Sequence, residues 1–124
     1  MSELLSLPLP RPPHLWRRWR ALHGAAHALA LTETARRSSR LIVAVTRDSA
    51  SAHTLESDLS ALIEPGVPVL HFPDWETLPY DLFAPHPGIV SQRVATLYRL
   101  PTTKRGVLVV SISTLMQRLP PRQY

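Results

Sequence analysis

Cysteine is absent, and with it disulfides, thiol nucleophiles and thiolate-bound zinc, so the first residues to weigh for chemistry are the histidines and carboxylates. His23 and His27 stand four residues apart, the spacing at which two imidazoles on one helical face can hold a metal ion. No Glu-x-x-His context accompanies them and His23 falls before the helix proper, so a helix-end pair without metal is expected. His53, His71 and His86 are isolated in sequence and define no ligand set. Asp74, Glu76 and Asp81 are close enough to form a carboxylate pair for acid–base work or for magnesium. They lie among Trp75, Pro79, Tyr80 and Phe83, with Arg93 and Arg99 within reach on a following helix, and a structural role is expected of them. Arg93 is expected to hydrogen-bond Glu76 or Asp81 and so fix this segment against that helix. No Gly-x-Ser-x-Gly elbow or Ser/His/Asp order occurs, and Ser111 and Ser113 read as capping residues.

The elements that must position these groups alternate along the chain. Gly24 opens a run of strong helix formers from Ala25 to Arg37, with Arg36 and Arg37 at the end where they complement the macrodipole. Leu41 to Val45 is a continuous apolar run, which predicts a strand covered on both faces. Asp48 can cap a helix whose apolar positions are Ala52, Leu55, Leu59, Leu62 and Ile63, and Pro65-Gly66 ends it. Val67 to Phe72 predicts a second strand, and a helix follows His86-Pro87-Gly88 with Val90, Val94, Leu97 and Tyr98 on its buried face. Val107 to Val110 predicts another buried strand, and Ser113 or Thr114 starts a short helix stopped by Pro120-Pro121. Strands alternating with helices at this spacing imply an α/β layer with a mostly parallel sheet of about four strands, flanked by helices.

Composition narrows the function classes. A chain of 124 residues with 44% hydrophobic residues has room for one small domain, and no apolar run is long enough to span a membrane. Met1 to Leu5 lacks a basic, cleavable leader, so a cytoplasmic location is expected. The net charge of +5 comes almost wholly from arginine, Lys104 being the one lysine, and it is spread along the chain. A nucleic-acid-binding module using Arg17, Arg18, Arg20, Arg36, Arg37 and Arg40 is therefore the alternative reading, and coding bias the simpler account of the charge. Residues 1–20 hold Pro8, Pro10, Pro12 and Pro13 and then Trp16 and Trp19 among arginines, which reads as a tail preceding a domain at 21–124. Both tryptophans are expected on a helical turn against the core.

The stretch from Phe72 to Phe83 combines Pro73 and Pro79 with Asp74, Glu76, Asp81 and a set of large rings. Prolines forbid a helix or central strand there, so an ordered crossover with buried side chains is expected. With Arg93 to Leu100 and Arg105 to Arg118, the crossover (Asp74, Trp75, Glu76, Leu78, Pro79, Tyr80, Asp81 and Arg93 above all) closely resembles the N-terminal part of the bacterial transcription-repair coupling factors, the Mfd family. The similarity begins near Ala21 and is to the first lobe of the module that this family shares with the excision-repair protein UvrB.

The resemblance implies an incomplete P-loop or RecA-like layer. UvrB-type proteins carry a phosphate-binding loop where this chain has Gly24, Ala25, Ala26, His27, Ala28, Leu29, Ala30 and Leu31. Only the first glycine is kept; the lysine that would meet phosphate and the hydroxyl that would hold magnesium are missing. No cofactor and no catalysis are therefore expected of these residues. The resemblance further implies a parent protein with a helicase-like, ATP- and magnesium-dependent DNA translocase motor and an RNA polymerase contact in later domains. UvrA would be recruited through the domain that follows, with this lobe as its scaffold and no membrane partner.

Overall fold

The computed structural model describes residues 22–75 and 87–119 together with Arg18 and Arg20. The expected tail and its tryptophans, Arg17, and the crossover residues Glu76, Leu78, Pro79, Tyr80 and Asp81 lie outside the described residues, as does His86.

The first helix, α1 (Ala26–Arg37), has no side-chain cap at Ala25, and its Thr32 and Thr34 hydroxyls donate back to the Ala28 and Ala30 carbonyls at 2.8 Å. Ala28, Ala30 and Ala35 are its buried positions, small enough to let it lie close against its neighbours. Strand β1 (Leu41–Thr46) leads to α2 (Ser49–Leu62), whose first turn is capped as expected: Asp48 accepts from the Ser51 amide at 2.7 Å. Strand β2 (Val69–Phe72) precedes the crossover, and α3 (Pro87–Arg99) ends in a 3₁₀ turn at Leu100–Thr102. Strand β3 (Gly106–Ser111) runs straight into α4 (Ile112–Leu115), which Ser111 caps.

Among the described residues the three strands are parallel, in the order β1-β3-β2, so the last of them in sequence is the central one. That position explains its composition. Every residue of β3 is buried, and alternate side chains serve opposite layers. Val107 and Val109 join Ala28, Ala35, Ala52 and Leu59 beneath α1 and α2, while Leu108 and Val110 join Leu70 and Phe72 beneath α3. Burying each such valine or leucine contributes about 1.5–3 kcal/mol. Gly106 at the strand's start has φ +130, and a Cβ there would meet the Pro68 carbonyl oxygen at 2.4 Å. Only glycine lets Val107 approach and donate to that oxygen at 3.0 Å, the contact that opens the β2–β3 pairing.

Two expectations about faces are corrected. Strand β1 is not covered on both sides: Ile42 and Ala44 pack under the helices, but Val43 and Val45 on the opposite face are 50% and 47% exposed, because α3 sits over β2 and does not reach this edge. The buried residues of α3 are Arg93 and Thr96, with Leu97 partly buried beside them as expected, whereas Val90, Val94 and Tyr98 are exposed. The reason is hydrogen bonding. The Thr96 hydroxyl donates to His71 O at 2.9 Å and Arg93 Nη1 to Pro73 O at 2.6 Å, so polar side chains of α3 satisfy carbonyls of the edge strand and of the residue after it.

Candidate functional site

At the carboxyl end of β1 the chain turns through Arg47 and Asp48 into α2, and this turn faces the start of α1. Between them lies a cleft of about 350 Å³ lined by Gly24, His27, Arg47, Asp48, Ser51, Thr54 and Asp58. It adjoins a more apolar hollow of about 670 Å³ walled by Leu22, Ala30, Leu31, Ala44 and Leu55. Ligands of open parallel sheets bind at such strand ends, and helix N-termini there favour anions.

The lining works against a phosphate. Gly24 takes φ +56, yet a Cβ there would meet nothing within 4 Å, so its glycine serves the turn and not a close approach. Ala25 to Leu31 add no lysine or arginine, and Ala28 and Ala30 are buried in α1. The α2 N-terminus is filled by Asp48 itself, whose carboxyl is held below the usual carboxylate range by hydrogen bonds from Ser51, side chain first and backbone second. Arg47 Nε lies 3.5 Å from the same carboxylate. The cleft thus presents Asp48 and Asp58 beside Arg47, His27, Ser51 and Thr54.

A second cluster stands where the crossover leaves β2. The Arg93 guanidinium is sandwiched between Phe72 and Trp75, its central carbon 4.2 and 4.0 Å from the ring centroids. It is 4% exposed; burial pulls its pKa below the usual arginine value, and the charge of Asp74 opposes that shift. Asp74 Oδ1 accepts from Trp75 N at 2.9 Å and from Gln117 Nε2 at 2.8 Å, while Gln117 Oε1 lies 3.4 Å from Arg93 Nη1. The carboxylates expected to meet Arg93, those of Glu76 or Asp81, lie outside the described residues; its described partners are a carbonyl, two rings and an amide. Gln117 carried no signal in sequence, since it lies 43 residues from Asp74.

The arginines proposed for nucleic acid separate. Arg18 and Arg20 are exposed. Arg36 and Arg37 end α1 and Arg40 precedes β1, at the far end of the sheet from the cleft. Arg36 pairs with Glu33, which lowers the Glu33 pKa and raises that of Arg36, and Arg105 donates to the Ala35 and Arg36 carbonyls at 3.4 and 3.3 Å. His23 and His27 do not meet within a ligand set among the described residues, whereas His53, Glu56 and His71 converge. That grouping is not foreseen by the sequence, since His53 and His71 stand apart in it, and only the His-x-x-Glu spacing on α2 could have signalled part of it.

The fold and its cleft define an open, parallel α/β lobe without a glycine-loop cation or hydroxyl for phosphate. Over 99 residues, 80% of the chain, it is 48% identical to a transcription-repair-coupling factor of Haemophilus influenzae, and over 103 residues, 83% of the chain, 44% identical to that of Escherichia coli K12. A Rickettsia prowazekii protein of the same name is 37% identical over 57 residues, 45% of the chain. No protein-family model matches. Over the matched segment this chain belongs to the transcription-repair-coupling-factor family, and it spans only 8–9% of the length of the first two relatives.

Proposed function

We propose that this chain is a non-catalytic scaffold lobe of a transcription-coupled nucleotide excision repair factor, with residues 1–20 as a tail and 21–124 as the lobe. The similarity to named coupling factors over four-fifths of the chain carries this reading. The cleft chemistry supports the absence of turnover: the glycine turn offers neither lysine nor hydroxyl, and Asp48 occupies the adjacent helix end. The parent protein would be an ATP-dependent DNA translocase that displaces stalled RNA polymerase in the cytoplasm, with ATP and magnesium in its motor. UvrA would be recruited by the domain that follows, which this lobe supports.

Capture of UvrA by this chain, compared with a chain extended through the next domain, tests the scaffold role: strong capture by the extended chain alone is expected, and equal capture by both would overturn it. Titration with magnesium ATP is expected to leave the melting temperature unchanged, since a ligand of the folded state alone must raise it. The second reading, a nucleic-acid module, draws on the grouping of Arg36, Arg37, Arg40 and Arg105 at one end of the sheet. Duplex binding that weakens steeply with salt and is lost on replacing Arg37 and Arg40 would favour it.

A further inference from the structure

We propose that His53, Glu56 and His71 form a binding site for one divalent transition-metal ion of the zinc class. His53 and Glu56 lie three residues apart on α2 and so share a face, and β2 turns His71 towards that face in register with Val109. One nitrogen or oxygen from each residue lies within 4.8 Å of the others. The two imidazoles meet edge to face with centroids 4.9 Å apart.

His71 makes the cluster more than a chance gathering of polar groups. Its side chain is 3% exposed, and its Nδ1 is buried 2.6 Å from Glu56 Oε2 without the alignment of a hydrogen bond. A buried ring nitrogen facing a carboxylate oxygen without a well-aligned bond is costly unless a cation lies between them. A cation between nitrogen and carboxylate removes that cost by accepting the Nδ1 lone pair, with modest separation of the two atoms. The nitrogen, nitrogen, carboxylate donor set is one that zinc takes in tetrahedral sites with a fourth position open. His53 is exposed and Glu56 half-buried, which provides a path from solvent. The strand that carries His71 is also fixed in place, because the His71 backbone carbonyl accepts from the Thr96 hydroxyl at 2.9 Å. A bound ion would fasten α2 to the edge strand β2.

The test uses the whole 124-residue chain, stripped with chelator and titrated with Co²⁺ as a visible probe and then with Zn²⁺ in competition. One Co²⁺ per chain with a ligand-field spectrum, displaced by Zn²⁺, is expected, together with a rise in melting temperature on adding Zn²⁺. His53→Ala and Glu56→Gln, at the open end of the site, should each weaken binding by at least about tenfold, the loss that even outer-shell changes bring. His23→Ala with His27→Ala should bind as the parent chain does. The proposal fails if the folded chain takes up no Co²⁺, if His53→Ala and Glu56→Gln bind like the parent, or if the His23/His27 variant is the one that loses the metal. Circular dichroism melts of each stripped variant confirm that binding is compared between folded chains.

Discussion

Replacing Arg93 is the most direct test of how the crossover is held to the lobe. Its side chain donates a charged hydrogen bond to Pro73 O at 2.6 Å and stacks between two rings at 4.0 and 4.2 Å. A hydrogen bond to a charged group contributes about 1.5–3 kcal/mol, and each desolvated ring contact about 1 kcal/mol. Burial of the cation offsets part of this, as the lowered pKa of Arg93 records. Truncation to alanine also strands the Pro73 carbonyl and opens a gap between Phe72 and Trp75, so Arg93→Ala should cost about 3 kcal/mol and lower the melting temperature by about 10 °C. Arg93→Met keeps the stem but neither charge nor donor and should cost about 2 kcal/mol; Arg93→Lys keeps charge but not the flat fork and should cost about 1 kcal/mol. Urea denaturation followed by far-ultraviolet circular dichroism gives these differences. A cycle with Trp75→Leu should show a coupling of about 1 kcal/mol. If Arg93→Met unfolds with the parent chain, or the Arg93 and Trp75 changes simply add, the sandwich is not what anchors this segment.

Other outcomes follow from single positions. Leu59→Ala empties a fully buried site between α2 and β3 and should cost about 3–5 kcal/mol by denaturant titration, whereas Leu62→Ala, at 37% exposure, should cost less than half as much. Gly106→Ala drives a Cβ into backbone at 2.4 Å and should destabilise by about 3 kcal/mol or more, while Gly66→Ala, with φ +92 but open space, should cost about 1 kcal/mol. Asp48 has a folded-state pKa below its unfolded one, so its stabilisation is complete above the unfolded carboxylate value and is lost as pH falls through the folded value. Thermal melts in acid should accordingly show a shallower loss of stability for Asp48→Asn, which keeps a cap but cannot titrate.

Local signals were sufficient for the elements themselves. The Asp48 and Ser111 caps, the Pro65-Gly66 stop and the unbroken apolar run of β3 are legible because each depends on neighbours a few residues away. Asp74, Trp75 and Arg93 were legible as neighbours in one segment and its following helix, although the Arg93 partners expected from sequence were Glu76 or Asp81. Which face of an element is covered was not. Apolar spacing pointed α3 towards Val90, Val94 and Tyr98, but carbonyls of β2 and Pro73 recruited Thr96 and Arg93, and the helix lies with polar side chains inward. Val43 and Val45 read as core, yet only packing decides how far α3 extends across the sheet.

The sequence alone determined the alternation of strand and helix and the absence of lysine, serine and threonine between Gly24 and Leu31, because these are properties of residue type and short spacing. The last helix, by contrast, spans Ile112–Leu115 and does not run from Ser113 or Thr114 to Pro120. Tertiary structure alone decided that β3 is central, that Gln117 bridges Asp74 and Arg93, and that His71 meets His53 and Glu56. Those meetings depend on strand order and on the layer each face joins, and neither is encoded in the distance between residues along the chain.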